Sequence, residues 1–159
     1  LIVTGTPAPG SETAAKNGMK IKVEYLTADG DELNVKKLEQ GTDFVAEIKV
    51  KNIGRHEAYR EVALTQLVPS GWEIHNQRLT RSEDDKGATF RLQDIRDDRV
   101  YTYFDLKPRQ SITLRVHLTA AYEGRFYLPV VAAEAMYDAA INARVPGRWV
   151  EVVRAGASD

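Results

Sequence analysis

The sequence contains no cysteine among its 159 residues. This absence excludes disulfides, thiol catalysis, zinc–thiolate sites and a thioester from this chain. No apolar run approaches the roughly 20 residues that a membrane-spanning helix needs. Lys and Arg number 22 against 23 Asp and Glu, and the basic residues are scattered among acids, so no net field favours nucleic acid or an anionic membrane. We therefore expect neither nucleic-acid binding nor direct membrane insertion.

Motifs for catalysis and metal binding are also missing. The histidines, His56, His75 and His117, lie far apart in sequence and show no metal-binding spacing. A calcium loop that began at Asp29 would need a glutamate at its twelfth position, where Gln40 stands. None of the serines lies in a nucleophile elbow. We expect no enzymatic activity, no catalytic residue, no metal site and no cofactor.

The sequence does contain a succession of short segments with a period of two. Apolar side chains alternate with polar or charged ones in residues 19–26, 44–50 and 112–118, and further strands are predicted over 126–136 and 149–153. Turn signals such as Pro69-Ser70-Gly71 separate these segments. The pattern predicts an all-β, antiparallel sandwich, with at most one short helix at residues 31–40 or 77–85.

Composition divides the chain into three parts. Residues 4–17 hold two prolines and two glycines without apolar periodicity, which is typical of a linker. We assign residues 1–17 to the end of a preceding domain and this linker. Residues 18–155 form the sandwich domain, and residues 156–159 form a disordered tail.

Aromatic side chains suggest a second function, a carbohydrate- or peptidoglycan-binding sandwich. The candidates for a sugar-stacking platform are Trp72, Tyr101, Tyr103, Tyr122, Tyr127 and Trp149. Aromatic residues favour strands and cores in any case, so a core or interface position is the favoured interpretation. Tyr101 and Tyr103 share one face of a segment whose other face is also apolar. That segment is predicted to be covered on both sides or to contact another domain.

Three blocks of sequence carry a family resemblance. They are VALTQLVPSGWEIHN (62–76), IRDDRVYTYFDLKPRQSITLRVHL (95–118) and EGRFYLPVVAAEAMYDAAINAR (123–144). In their order and spacing they resemble the C-terminal macroglobulin domain of bacterial alpha-2-macroglobulins, the counterpart of the vertebrate receptor-binding domain. The resemblance implies a macroglobulin-like sandwich, akin to fibronectin and immunoglobulin domains, that contacts other domains and proteins.

The resemblance also implies a large parent protein in the periplasm or cell envelope of Gram-negative bacteria. Such proteins trap or inhibit proteases and resemble protease traps of host defence. The implied partners are other domains of the parent, proteases through the full-length protein, and envelope proteins. The resemblance is also compatible with a parent that is lipid-anchored to the inner membrane.

A Met-Tyr pair is the most specific feature that the resemblance assigns. In members with a reactive thioester, the terminal domain packs on the thioester domain and such a pair shields the bond from water. Met136 and Tyr137 match this pair in sequence. The alternative is that both residues simply end a strand. Tyr101, Tyr103 and Glu134 are the further interface candidates.

Overall fold

The protein is described by a computed structural model over residues 13–75 and 89–156. These residues form thirteen strands and no helix. The strands are β1 Ala15–Asn17, β2 Met19–Thr27, β3 Lys37–Glu39, β4 Asp43–Asn52, β5 Tyr59–Leu67, β6 Trp72–Ile74, β7 Thr89–Ile95, β8 Arg99–Leu106, β9 Ser111–Ala120, β10 Gly124–Leu128, β11 Val131–Ala135, β12 Asp138–Val145 and β13 Arg148–Val153. The predicted antiparallel sandwich is confirmed. Residues 31–40 contain β3 and turns instead of a helix, and residues 77–85 lie outside the described part. No helical segment of the described chain could span a membrane.

The strands form three sheets. The six-stranded sheet has the order β1-β12-β11-β5-β8-β7, the four-stranded sheet β2-β4-β9-β6, and the three-stranded sheet β10-β13-β3. Every pairing is antiparallel except that of β13 with β3. Along β4, Ile48 and Val50 pack against the six-stranded sheet, while Phe44 and Ala46 pack in the core beside the three-stranded sheet. The core thus consists of two clusters of buried side chains, and the inward face predicted for β4 by its alternation packs in both of them.

The chain passes between the two main layers at Gly18. β1 belongs to the six-stranded sheet and β2 to the four-stranded sheet. Gly18 has a φ of 76°, its carbonyl accepts a 2.9 Å hydrogen bond from the Tyr59 hydroxyl, and a Cβ here would lie 2.8 Å from that hydroxyl. Both the backbone angle and the close approach therefore require glycine. β1, which lies within the segment assigned to the linker, pairs with β12.

The prediction of one strand over residues 126–136 is wrong, because the chain passes from one sheet to another within this segment. The structure divides this segment into β10, in the three-stranded sheet, and β11, in the six-stranded sheet. Pro129 lies between them and has no N–H to donate to a strand ladder. The continuous apolar run concealed this break.

Three of the buried aromatic side chains form one cluster. Tyr25, Phe44 and Trp72, which we call the aromatic core cluster, have ring centroids 4.9 to 6.3 Å apart in tilted and edge-on arrangements. Burial raises the pKa of Tyr25 to about 12, against a smaller opposing effect of the Arg148 guanidinium. Trp72 is only 3% exposed. This burial agrees with the core position favoured for the aromatic residues and removes Trp72 from the candidates for a sugar-stacking platform.

Candidate interaction surface

Met136 and Tyr137 form the two-residue turn that joins β11 to β12, and we call them the Met-Tyr turn. Their side chains are 60% and 56% exposed, which places them among the most exposed large apolar residues of the described chain. Two-residue hairpin turns usually carry Asn, Asp or Gly. The need to form a turn therefore does not account for a methionine and a tyrosine here.

Hydrogen bonds to β5 and to the loop before it hold the Met-Tyr turn in place. The Met136 N–H donates to the carbonyl of Glu61 at 3.1 Å, and the Tyr137 hydroxyl donates to the carbonyl of Ala58 at 3.2 Å. Asn52, fully buried, accepts from the Gly54 N–H and donates to the Glu57 carbonyl, and so orders the loop that carries Ala58. The exposed pair consequently stands on a fixed backbone.

The acceptor for Met136 lies in a β-bulge of β5. The register of β5 against β8 shifts between Tyr59 and Val62, and Glu61 within this shift has a φ of 54°. A positive φ is uncommon for a residue with a side chain. The carboxylate of Asp105 on β8 accepts a 2.8 Å hydrogen bond from the Glu61 N–H. Asp105 thereby fixes the bulge whose carbonyl holds Met136.

The pairing of β11 with β12, on either side of the Met-Tyr turn, is also irregular. Ala135 pairs with Asp138 around the turn, whereas Glu134 pairs with Asn142, so three residues of β12 have no partner on β11. The Asn142 amide donates to the carbonyls of Ala139 and Ala140, at 2.9 and 3.4 Å. These bonds satisfy the freed carbonyls and keep the tip ordered.

The predicted interface residues lie on one face, the outer face of the six-stranded sheet. The register puts Glu134 beside Ala63 and Ala63 beside Tyr103, and in the next row it puts Thr65 beside Tyr101. The small side chains leave a shallow depression of about 520 Å³. Its lining residues are Ala63, Thr65, Ala132, Ala133, Glu134, Met136, Asn142 and Arg144. Ala63 and Thr65 were not predicted as site residues, and their sequence signal is only their alternation with buried positions in β5.

Tyr101, the cross-strand neighbour of Thr65, is held by a charged pair. The Arg99 guanidinium donates to the Tyr101 hydroxyl at 3.1 Å and to the Asp98 carboxylate at 2.7 Å. The hydrogen bond from Arg99 lowers the pKa of Asp98, and the bond to Asp98 raises the pKa of Arg99. Both members of this pair stay charged over the physiological range.

The described residues offer little for chemistry. They contain no group of three or more His, Cys, Asp or Glu side chains placed to hold a metal ion. On the outer face of the four-stranded sheet, His75 is hydrogen-bonded to the Thr119 hydroxyl, which donates to Asp43 at 2.5 Å. The carboxylate contacts the hydroxyl instead of orienting the histidine from its other nitrogen, so the group lacks the geometry of a nucleophile triad.

The aromatic residues suggested for sugar stacking do not converge. Trp149 and Tyr127 are cross-strand neighbours in the three-stranded sheet, with ring centroids 5.4 Å apart. The Arg125 guanidinium lies 4.7 Å from the centre of the Trp149 ring and covers it. Tyr122 is bonded to Glu73 elsewhere. The structure thus provides separate aromatic positions and no common platform.

Comparison with known proteins gives a consistent result. The model of the family described as "Bacterial Alpha-2-macroglobulin MG10 domain" matches residues 18–139. The chain is 28% identical over 139 residues to the alpha-2-macroglobulin of Pasteurella multocida (strain Pm70), a match that covers 87% of this chain and 7% of that protein. The chain therefore spans less than a tenth of the length of this relative.

Solved structures of bacterial alpha-2-macroglobulins share the fold. A mutant of the Salmonella protein and a form reacted with methylamine give TM-scores of 0.81 and 0.80 at 22% identity, over 91% of this chain and 10% of theirs. Trypsin-activated Escherichia coli alpha-2-macroglobulin gives 0.78 at 21% identity, over 90% of this chain and 11% of its own. At these identities the likeness establishes the fold alone.

Proposed function

Because this chain belongs to the bacterial alpha-2-macroglobulin MG10 domain family, we propose that it is a non-catalytic interaction domain of a larger periplasmic protein that traps or inhibits proteases. The chain corresponds to 7% of the Pasteurella relative, which supports a multidomain parent. The E. coli relative is described as trypsin-activated, which supports proteases as partners of the full-length protein.

The exposed Met-Tyr turn carries this proposal. Two large apolar side chains are exposed on a turn that is held by two hydrogen bonds. The Met136 N–H donates to β5, and the Tyr137 hydroxyl donates to the loop before β5. Apolar side chains that are exposed at a fixed position are typical of contact surfaces, because the ordering cost is already met before docking. The outer face of the six-stranded sheet is therefore the side that docks on a neighbouring domain.

The depression beside the turn supplies shape for that contact. Ala63 and Thr65 form its floor, while Met136, Glu134 and Arg144 stand around it. A neighbouring domain would insert an apolar side chain over the small residues and meet the charged groups at the edge. Tyr101 and Tyr103 extend the same face on β8.

Where the parent carries a thioester, Met136 and Tyr137 cover it. Apolar cover keeps water from a hydrolysable acyl group while the domains remain docked. The Salmonella relative is described as reacted with methylamine, a small nucleophile, which supports acyl chemistry in that protein. In this proposal the chain itself supplies only the cover and no reacting group.

The test compares two tyrosines of equal exposure in the full-length parent. Tyr137 and Tyr122 are each 56% exposed, but Tyr122 is bonded to Glu73, away from the turn. Tyr137→Ala is expected to raise hydrogen exchange at the domain junction and, in a thioester-bearing parent, to speed methylamine incorporation and hydrolysis. Tyr122→Ala should leave both rates at the wild-type value.

Equal behaviour of the two variants would contradict the proposal. A Tyr137→Ala parent with unchanged junction exchange, unchanged methylamine reaction and unchanged protease-induced rearrangement would show that the turn makes no functional contact. Turnover of a peptide, ester or glycoside substrate by the 159-residue chain alone would contradict its non-catalytic assignment.

A further inference from the structure

We propose that the outer face of the four-stranded sheet binds an extended acidic segment of a partner protein through four lysines. These are Lys20 and Lys22 on β2 and Lys49 and Lys51 on β4, and we call them the lysine patch. The proposal does not depend on the docking surface around the Met-Tyr turn, which lies on a different sheet.

The register of β2 and β4 creates the lysine patch. Lys20 lies directly opposite Lys51, and Lys22 directly opposite Lys49, and all four side chains are exposed. Directly opposed side chains have Cβ atoms about 4.5–5.5 Å apart, and like charges in this position destabilise a sheet. Two such pairs in succession are therefore a cost to folding that calls for another explanation.

The neighbouring acids do not neutralise the lysine patch. Glu24 pairs with Lys22 at 2.7 Å, and Glu47 is engaged by Arg115 at 2.8 Å. Glu32, opposite Leu26 of β2, also acts on Lys22. The four lysines and Arg115 thus face three glutamates, which leaves two positive charges on this part of the described surface. A chain with a formal net charge of −1 concentrates positive charge here.

Protection of a sheet edge explains only half of the patch. Lysines on an edge strand discourage strand addition by other chains, and β2 is an edge strand of its sheet. β4, however, lies between β2 and β9. Lys49 and Lys51 therefore need a different reason, and a partner of opposite charge provides one.

The geometry favours an extended acidic peptide. Alternate residues of a strand lie roughly 6.6–6.8 Å apart, which is the spacing within each strand of the patch and also the spacing of alternate side chains in an extended peptide. A segment with Asp or Glu at every second position would therefore place one carboxylate opposite each lysine along a strand of the patch. Ser111 and Thr113 of β9 continue the two rows, so the patch lacks the aromatic or aliphatic side chains that membrane insertion or base stacking needs.

The test uses a labelled peptide of alternating glutamate and threonine, with an alternating glutamine and threonine peptide as the uncharged control. The 159-residue chain is expected to bind the acidic peptide, with an affinity that falls as salt is raised. Lys49→Gln/Lys51→Gln, on the interior strand, should weaken binding at least tenfold. Lys36→Gln/Arg154→Gln removes the same charge from exposed positions elsewhere and should change binding less than twofold.

Circular dichroism separates loss of binding from loss of the fold. If the variant of β4 unfolds, Lys20→Gln/Lys22→Gln on β2 replaces it with the same expected loss. Equal weakening by the patch and control variants would overturn the proposal, because it would mean attraction to charge alone. Tighter binding to anionic vesicles or to duplex DNA than to the peptide, again lost in the patch variant, would also overturn it.

Discussion

The aromatic core cluster and the Met-Tyr turn use similar side chains in opposite surroundings. Tyr25, Phe44 and Trp72 are almost fully buried and pack edge to face, whereas Met136 and Tyr137 are more than half exposed. The rings of the cluster contribute to folding through the water they exclude and their mutual contacts. The side chains of the turn exclude little water within this domain.

This difference separates stability from recognition. A large side chain in the cluster is explained by the fold itself. The same kind of side chain at the turn adds little to folding, so its reason lies in a contact outside the domain. The comparison predicts that truncations in the two regions will differ several-fold in their effect on the free energy of unfolding.

The largest effect is expected for Trp72→Ala. Removal of a buried tryptophan leaves a cavity between Tyr25 and Phe44, and we expect a loss of about 3–5 kcal/mol in the free energy of unfolding. Urea unfolding, followed by circular dichroism, measures this loss.

Trp72→Phe serves as the control. The indole N–H has no hydrogen-bond partner in the described structure, so this variant loses volume and no hydrogen bond. A loss from Trp72→Phe as large as that from Trp72→Ala would contradict the packing explanation.

The next effect is a loss of stability in alkali. Since the pKa of Tyr25 is raised from 10.0 to about 12 in the folded protein, the unfolded chain loses this proton first. The contribution of Tyr25 to the free energy of unfolding is complete below pH 10 and is lost as the pH rises to 12. The loss is up to roughly 3 kcal/mol, since one pKa unit corresponds to 1.36 kcal/mol. Unfolding free energies measured between pH 9 and 12 should fall less steeply in Tyr25→Phe. Equal slopes in the variant and the wild type would show that Tyr25 is not the group responsible.

Gly18→Ala tests the passage between the layers. The new methyl group meets the Tyr59 hydroxyl at 2.8 Å and also imposes a side chain on a positive φ, so we expect a loss of about 1–3 kcal/mol. Gly30 has a φ of 91° with nothing near its missing Cβ, and Gly30→Ala therefore measures the backbone penalty alone. Thermal unfolding of both variants gives the difference. A greater loss at Gly30 would mean that the contact with Tyr59 does not constrain the crossing.

The sequence predicts those parts of the fold in which local alternation matches burial. β2, β4 and β9 follow the period of two because one face of their sheet is covered. β12 was missed because its first residues bulge away from β11, and their side chains are exposed without alternation. The division at Pro129 was hidden because both halves of the segment are apolar.

The surfaces could be predicted only in part. Met136 and Tyr137 were identified by resemblance, and their contribution to docking stays a prediction. The depression depends on which strands lie side by side, and β5 meets β11 across about 70 residues of sequence. The lysine patch contradicts the expectation that basic residues are scattered, since pairing brings Lys20 to Lys51. Such pairings are set by long-range register, which local patterns do not contain.

The smallest effect is expected at the Met-Tyr turn. Met136→Ala should change the free energy of unfolding by less than about 0.5 kcal/mol, as is usual for exposed positions. Tyr137→Ala also removes the hydrogen bond to Ala58, so its loss could reach about 1 kcal/mol. Urea unfolding of the 159-residue chain measures both. Tyr137→Phe isolates the hydrogen bond, because it keeps the ring.

These small values are the sharpest test of the comparison, because the alternative for the turn is structural. If Met136 and Tyr137 served only to end β11, their truncation would loosen the hairpin and cost as much as a core substitution. A loss of more than about 2 kcal/mol from Met136→Ala, well outside the usual range for surface positions, would support that alternative. A loss near zero, together with altered domain docking in the full-length parent, would place the function of the pair entirely outside this domain.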